Sequence, residues 1–215
     1  MGNIVVAITQ RVDSISGRNE KRDSLDQMII EWVKSAGFIP VVVPNILLQI
    51  DSTGDITDSM KLKNWLKRMK PDALLLTGGN DIGEYLERDC TEAYLLSWAK
   101  NLQLPALGIC RGMQMMAVWA GSTLTKIDGH VRTNHTIIPD DKNEELPDVV
   151  NSYHEWAVEK CPDDFYIIAK AQDGVIEAIR HSLLPWEGWM WHPERGDVFS
   201  DYDTNRLKRL FLINQ

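Results

Sequence analysis

The 215-residue chain has only three cysteines, an odd number without framework spacing. That excludes a disulfide scaffold and leads us to expect a reducing compartment. An excess of basic residues is missing too: 23 Lys and Arg stand against 31 Asp and Glu, for a formal net charge of −8. A general nucleic-acid binder would carry the opposite balance. No apolar run approaches bilayer-spanning length, so no membrane partner is expected. Met1-Gly2-Asn3 runs into a short apolar stretch with neither a charged n-region nor a signal-length h-region, which implies a cytoplasmic protein. Gly2 raises N-myristoylation, but Val6 stands where Ser or Thr is expected. With no repeat, low-complexity tract or linker, the whole of residues 1–215 reads as one domain. Its 44% hydrophobic and 25% charged content suit a full globular core.

What is present is an alternation of strands and helices. Ile4-Val5-Val6-Ala7-Ile8 is a continuous apolar run, as in a parallel strand buried on both faces. A polar loop from Thr9 to Asp23 follows. Leu25, Met28, Ile29, Trp32 and Val33 recur at helical spacing, with Asp23 or Ser24 as N-cap and Gly37 as the stop. Phe38 to Val43 reads as a second strand and Asp51 to Asp58 as a loop. Leu62, Trp65, Leu66 and Met69 mark a helix before the strand Ala73 to Leu76. Further helices are expected from Asp89 to Leu102, from Met113 to Ala120, and after Asp201 around Leu207, Leu210 and Phe211. Phe165 to Ala171 and Val175 to Ile179 flank an Asp-Gly hairpin turn, and Gly188 to Trp191 is a short strand. This order predicts an α/β fold: a doubly wound, mostly parallel sheet flanked by helices, with a small antiparallel appendage. In such a sheet ligands lie beyond the carboxyl ends of the strands, so the loops after Ile8, Leu76 and Ile109 should form the site.

The chemistry concentrates in Gly108-Ile109-Cys110-Arg111-Gly112-Met113-Gln114, where an apolar strand meets a Gly-x-Cys-x-Gly turn and a helix begins. Glycines on both sides permit the sharp bend that presents a nucleophile above a sheet. At the helix N-terminus, unpaired N–H groups and the macrodipole favour a thiolate. A lone Cys among apolar residues is more often a small buried hydrophobe. The paired glycines and the distant Trp191-His192-Pro193-Glu194, with an imidazole and a carboxylate to orient it, favour the nucleophile instead.

These two segments together resemble the class I glutamine amidotransferase family, and more closely its branch of stand-alone γ-glutamyl hydrolases, the peptidase C26 type. The likeness runs from Ile4 to Glu194. It implies a flavodoxin-like core and a catalytic triad of Cys110, His192 and Glu194. It also implies an oxyanion hole built from the N–H groups of Gly79 and Arg111. The segment Thr77-Gly78-Gly79-Asn80-Asp81 matches the branch's Gly-Gly-x-Asp pattern at Asp81; the Pro that usually follows is absent, with Gly83 and Glu84 there instead. Gln114 matches the residue that holds the glutamyl moiety. Asn151-Ser152-Tyr153-His154 resembles the Asn-Ser-x-His segment that faces the glutamyl α-amino and α-carboxylate groups. Within it Ser152 and Tyr153 are the expected contacts and Asn151 and His154 their supports, while His154 is also the rival general base.

The implied reaction is hydrolysis of a γ-glutamyl amide through a thioester, with neither a metal nor an organic cofactor. His130 and His135 suggest a metal pair, but no third ligand of suitable spacing follows, so they read as shaping the pocket mouth. Arg11, Arg18, Lys21 and Arg22 form a basic stretch in an acidic chain. Either they are a solvated loop or some of them meet an anionic leaving group. Trp156, Trp186, Trp189 and Trp191 are candidate pocket walls, although buried core is the commoner role of such rings. The pattern resembles members of bacterial capsule-modification pathways that release cytidine diphosphoramidate from γ-glutamyl-CDP-amidate, a nucleotide-linked small molecule. The alternatives are a glutaminase subunit feeding a separate synthetase, a hydrolase of γ-glutamyl-aminobutyrate or polyamine conjugates, and a catalytically silent binding module. The oligomeric state is open.

Overall fold

The computed structural model describes residues 4–142 and 144–213. The Gly2 reading lies outside the described residues. The first half of the chain runs β1 (Val5–Ile8), β2 (Arg11–Ser14), β3 (Lys21–Ser24), α1 (Gln27–Ser35), β4 (Ile39–Val42), β5 (Gln49–Ile50), β6 (Ile56–Asp58), α2 (Met60–Met69), β7 (Ala73–Leu76), α3 (Leu86–Leu102), β8 (Ala106–Ile109) and α4 (Arg111–Trp119). The second half runs β9 (Leu124–Lys126), β10 (Val131–Pro139), β11 (Val149–Tyr153), β12 (Trp156–Val158), β13 (Phe165–Ala171), β14 (Ile176–His181), β15 (Trp186–Trp189) and α5 (Asp201–Phe211).

Among the described residues, one nine-stranded sheet has the order β11-β10-β13-β14-β15-β8-β7-β1-β4. The run β15-β8-β7-β1-β4 is parallel throughout. The run β11-β10-β13-β14 is antiparallel and joins β15 edge to edge, so it continues the main sheet. Smaller antiparallel pairs are β2 with β3, β5 with β6 and β9 with β12. The strands alternate which face each residue serves, as a pleat requires. Val6, Ile8, Leu75, Leu107 and Ile109 join the cluster with Trp32 of α1 and Leu207 of α5. Ala7, Leu74, Leu76 and Ala106 join the cluster with Leu62 of α2, Leu95 of α3 and Met113 of α4. Helices therefore cover both faces, which explains why β1, β7 and β8 are apolar without interruption.

Three local expectations need correction. The polar stretch after Ile8 is the β2–β3 hairpin, with Arg11 opposite Ser24 and Ser14 opposite Lys21. The N-cap of α1 is Asp26, whose carboxylate accepts the Met28 N–H at 2.9 Å. Asp23 is unavailable for capping because its carboxylate takes the N–H and side-chain amide of Asn45. The stretch from Asp51 to Asp58 turns back on β5 and ends in β6, which pairs with it. The long strand β10 and its partner β11 also emerge here, in a region whose mixed polarity carries no clean period.

Candidate active site

Three adjacent parallel strands, β7, β8 and β15, deliver the site. Gly108 of β8 pairs with Leu76 of β7 and with Gly188 of β15, so the residues just beyond these strands emerge side by side. Cys110 follows β8 and begins α4 with φ 51° and ψ −108°, in the left-handed range that costs an L-residue about 1–3 kcal/mol. Its N–H donates to the Trp189 carbonyl at 2.7 Å, which ties the bend to β15. The bend needs both flanking glycines. A Cβ on Gly112 would collide with the Leu76 carbonyl, and one on Gly108 would stand 2.5 Å from the Gly112 carbonyl carbon. The helix therefore lies directly on the strands.

His192 follows β15 and is buried. Its Nδ1 lies 2.7 Å from Glu194 Oε1, in the 3-10 turn Pro193–Arg195. Its backbone is gripped by one side chain: the His192 N–H donates to Asn151 Oδ1 at 2.8 Å, and Asn151 Nδ2 donates to the His192 carbonyl at 2.8 Å. Burial disfavours the charged ring, but hydrogen bonding and charge from Cys110 and Glu194 outweigh it, raising the His192 pKa to about 9. Gly78, just after β7, faces both partners. A Cβ there would be 2.8 Å from His192 Cε1 and 3.7 Å from Cys110 Cβ. Cys110, His192 and Glu194 thus meet in one place, and Gly78 is the residue of the glycine loop that packs on them.

That loop is held from below by groups with no obvious sequence signal. The buried Arg88 guanidinium donates to the carbonyls of Thr77 at 2.7 Å and Gly78 at 3.0 Å, and to Glu92 at 3.0 Å. Glu92 and Asp89 in turn pair with the buried guanidinium of Arg111, the first residue of α4. Burial opposes the Glu92 charge, but Arg111 and Arg88 hold its carboxyl below the usual range. Two of these residues, Arg88 and Glu92, have the i,i+4 spacing of a helical ion pair, the only local clue available. Asn80 clips the loop to the hairpin by exchanging hydrogen bonds with both backbone groups of Val12.

The other predicted residues divide. Gly79 follows Gly78 on the same loop, and its Cα faces Arg11 and Arg88. Gln114 is buried one turn along α4, where its amide donates to the Trp156 carbonyl at 2.8 Å. Asp81 is exposed and accepts the Trp156 indole N–H at 3.1 Å. Tyr153 is exposed and meets the His192 ring edge-on, with centroids 5.6 Å apart. Of the remaining members of its segment, Ser152 departs from the expected contact, while Asn151 and His154 sit in supporting places. Ser152 is fully buried and donates to the His130 carbonyl at 2.7 Å, so its hydroxyl has no free face for substrate. Asn151, expected as a support, supports His192 by gripping its backbone. His154 is buried beside Glu177, with Nδ1 on the Trp156 carbonyl, so it is not the base beside Cys110. Alternation along β11 explains the division, since neighbouring side chains must point to opposite faces.

A cavity of about 240 Å³ opens onto His192, Gly78 and Gly79, with Arg11 and Arg195 among its walls. Arg11 pairs with Asp13, while Arg195 lies over the Tyr153 ring at 4.4 Å. Arg18 and Arg22 pair with Glu20, and Lys21 pairs with Glu87, all away from this cavity. Trp186, Trp189 and Trp191 are buried core, with Trp189 stacked on Trp191 at 5.4 Å. Trp156 alone of the four candidate tryptophans is only partly buried, with its indole on Asp81. Nor does the expectation that His130 and His135 lack a third partner hold: Glu177 of β14 lies beside both.

A model of the peptidase C26 family matches residues 4–194. The γ-glutamyl-CDP-amidate hydrolase of Campylobacter jejuni is 33% identical over 147 residues, covering 66% of this chain and 70% of that protein. The glutamine-hydrolysing GMP synthase subunit of Methanothrix thermoacetophila is 33% identical over 130 residues, covering 57% of this chain and 67% of that one. Among solved structures, a candidate GMP synthase subunit from Thermoplasma acidophilum matches with TM-score 0.71 at 19% identity, covering 99% of this chain and 94% of that one. At that identity the structural likeness speaks to fold alone.

Proposed function

The chain belongs to the peptidase C26 family and has the class I glutamine amidotransferase fold, and on that premise we propose that it hydrolyses a γ-glutamyl amide whose leaving group carries phosphate. The observation that carries the chemistry is the convergence of Cys110, His192 and Glu194 on Gly78. With the proton held on His192, the Cys110 sulfur attacks the γ-carbonyl carbon, and the N–H groups of Gly79 and Arg111 receive the oxyanion. His192 then gives its proton to the departing nitrogen, leaving a γ-glutamyl thioester. The ring next removes a proton from water, which attacks the thioester and releases glutamate. Glu194 fixes the ring tautomer and stabilises its cation. With its amide nitrogen on Trp156, Gln114 has its oxygen left for the glutamyl amino group.

Arg11 and Arg195 at the cavity mouth support an anionic leaving group, since guanidinium forks suit phosphate oxygens. The Campylobacter relative's name points the same way and makes γ-glutamyl-CDP-amidate the substrate to try first. The GMP synthase relatives support a second reading, a glutaminase that passes ammonia to a separate synthetase. A substrate panel separates the two. We expect γ-glutamyl-CDP-amidate to be turned over in preference to glutamine, γ-glutamyl-aminobutyrate and γ-glutamyl-putrescine. Cys110→Ala should lose activity by about 10⁴-fold or more without a change in fold. Arg195→Met should raise KM for the phosphate-bearing substrate by about tenfold or more, the worth of one charge-assisted hydrogen bond. Preferred turnover of free glutamine, enhanced by a partner synthetase, would favour the glutaminase reading.

A further inference from the structure

Behind the active site, on the antiparallel part of the sheet, three histidines surround one carboxylate. Glu177 of β14 is fully buried, and its Oε1 lies 3.4 Å from His130 Nδ1, 3.3 Å from His135 Nε2 and 3.5 Å from His154 Nε2. None of these nitrogens, and neither Glu177 oxygen, has a hydrogen-bond partner. Buried polar atoms without partners are rare because each forfeits its hydration for nothing in return. Here five of them face one point.

From this geometry we propose that His130 Nδ1, His154 Nε2 and the Glu177 carboxylate bind a divalent transition-metal ion of the zinc class, with His135 Nε2 beside the same carboxylate. The outer nitrogens fix the tautomers. His130 Nε2 lies 2.9 Å from the Asp173 carboxylate, and His154 Nδ1 lies 3.0 Å from the Trp156 carbonyl. Each acceptor calls for a proton on the nitrogen facing it, so in the neutral rings the inner nitrogens present lone pairs to a carboxylate oxygen. Lone pair against lone pair is repulsive; a cation between them converts the arrangement into coordination. The dimensions agree. Ligand atoms about 2.05 Å from a tetrahedral ion stand about 3.3 Å apart, close to the 3.4 Å and 3.5 Å that separate Glu177 Oε1 from His130 Nδ1 and His154 Nε2. The chosen atoms of His130, His154 and Glu177 all lie within 4.8 Å of one another. Imidazole and carboxylate donors suit zinc and its neighbours, and the carboxylate–histidine contact at Asp173 is the usual outer support of such a ligand.

The ligands come from the entry to β10, the residue after β11, and β14. An ion there would brace the strands that present Asn151 and Tyr153 to His192. Its role is structural, distinct from the thiol chemistry.

The test uses the full chain carrying Cys110→Ala, so that the active-site thiol does not compete as a ligand. After chelator treatment the protein is titrated with Zn²⁺ and, in parallel, with Co²⁺. We expect one equivalent of either metal to bind, with the intense visible absorption of four-coordinate Co²⁺, no thiolate charge-transfer band, and a melting temperature that rises until one equivalent is reached. Asp173 is more than half exposed, so Asp173→Asn should fold and should weaken zinc binding by about 10–100-fold. His154→Ala should abolish stoichiometric uptake. Substoichiometric uptake by the chelated protein, thiolate bands in the Co²⁺ spectrum, or affinity unchanged in both Asp173→Asn and His154→Ala would overturn the proposal.

Discussion

Among single residues, the balance at His192 sets the expected pH behaviour. Its ring is raised to about 9 because contacts with Cys110 and Glu194 overcome burial. In the proposed mechanism the proton on that ring is the one the leaving nitrogen needs. Activity should therefore fall as pH rises through about 9, and kcat/KM measured against pH should show that limb. Glu194→Gln should move it to lower pH, because one of the two groups favouring the cation is lost. A limb that stays in place would assign it to another group. Asn151 acts at one remove, as a positioning residue that holds the His192 backbone from both sides. Asn151→Ala should lower kcat by about 10–100-fold through misplacement of the ring, with KM little changed. A dominant rise in KM would instead make Asn151 a substrate contact.

For the elements, the strand–Cys–helix bend is the most demanding junction. Gly112 packs on the Leu76 carbonyl without room for a Cβ. Gly112→Ala should push α4 away from β7 and cost about 1–3 kcal/mol of overpacking strain. At roughly 2–4 °C per kcal/mol for a chain of this size, the melting temperature should drop by several degrees. Activity should fall further than stability, because the same shift moves Cys110. This bend was legible in the sequence because its requirements are local: an apolar strand, two glycines and a helix start. β7 was legible for the same reason, since its four buried residues are uniformly apolar. The β2–β3 hairpin was not, because Arg11–Ser14 and Lys21–Ser24 are mostly exposed and carry no apolar period. The cap at Asp26 was misplaced because the distant Asn45 engages Asp23.

Over the whole molecule, buried charge sets the pH range of stability. Burial opposes the charges of Glu92 and Glu144, yet Arg111 and Arg88 hold the first, and Arg180 and Arg206 the second, below the ordinary value of 4.5. Their contribution is present above that value and is lost as pH falls through the folded pKa. Asp203 behaves oppositely: burial raises it to about 6, so its contribution is full below 3.8 and is lost as pH rises through about 6. The share from His192 is full below 6.5 and disappears as pH rises through about 9. Thermal melts across pH should show a steep acid-side fall below about 4.5 and a shallower decline toward 9. An acid side as flat as the neutral region would mean that the Arg–Glu networks contribute little.

From the sequence alone followed the order of strands and helices on the parallel side, the bend at Cys110, and the choice of His192 and Glu194 as its proposed partners. Each depends on neighbours in the chain or on residue types that few other roles require. Only the tertiary structure decided what the residues between 130 and 177 do: that Ser152 faces inward, that Asn151 serves His192, and that His130, His135 and His154 gather around Glu177. The reason is the non-local pairing of β10, β11, β13 and β14. Which face a side chain takes there, and which partner it meets, is set by strand register across the sheet, and no stretch of sequence read alone contains that register.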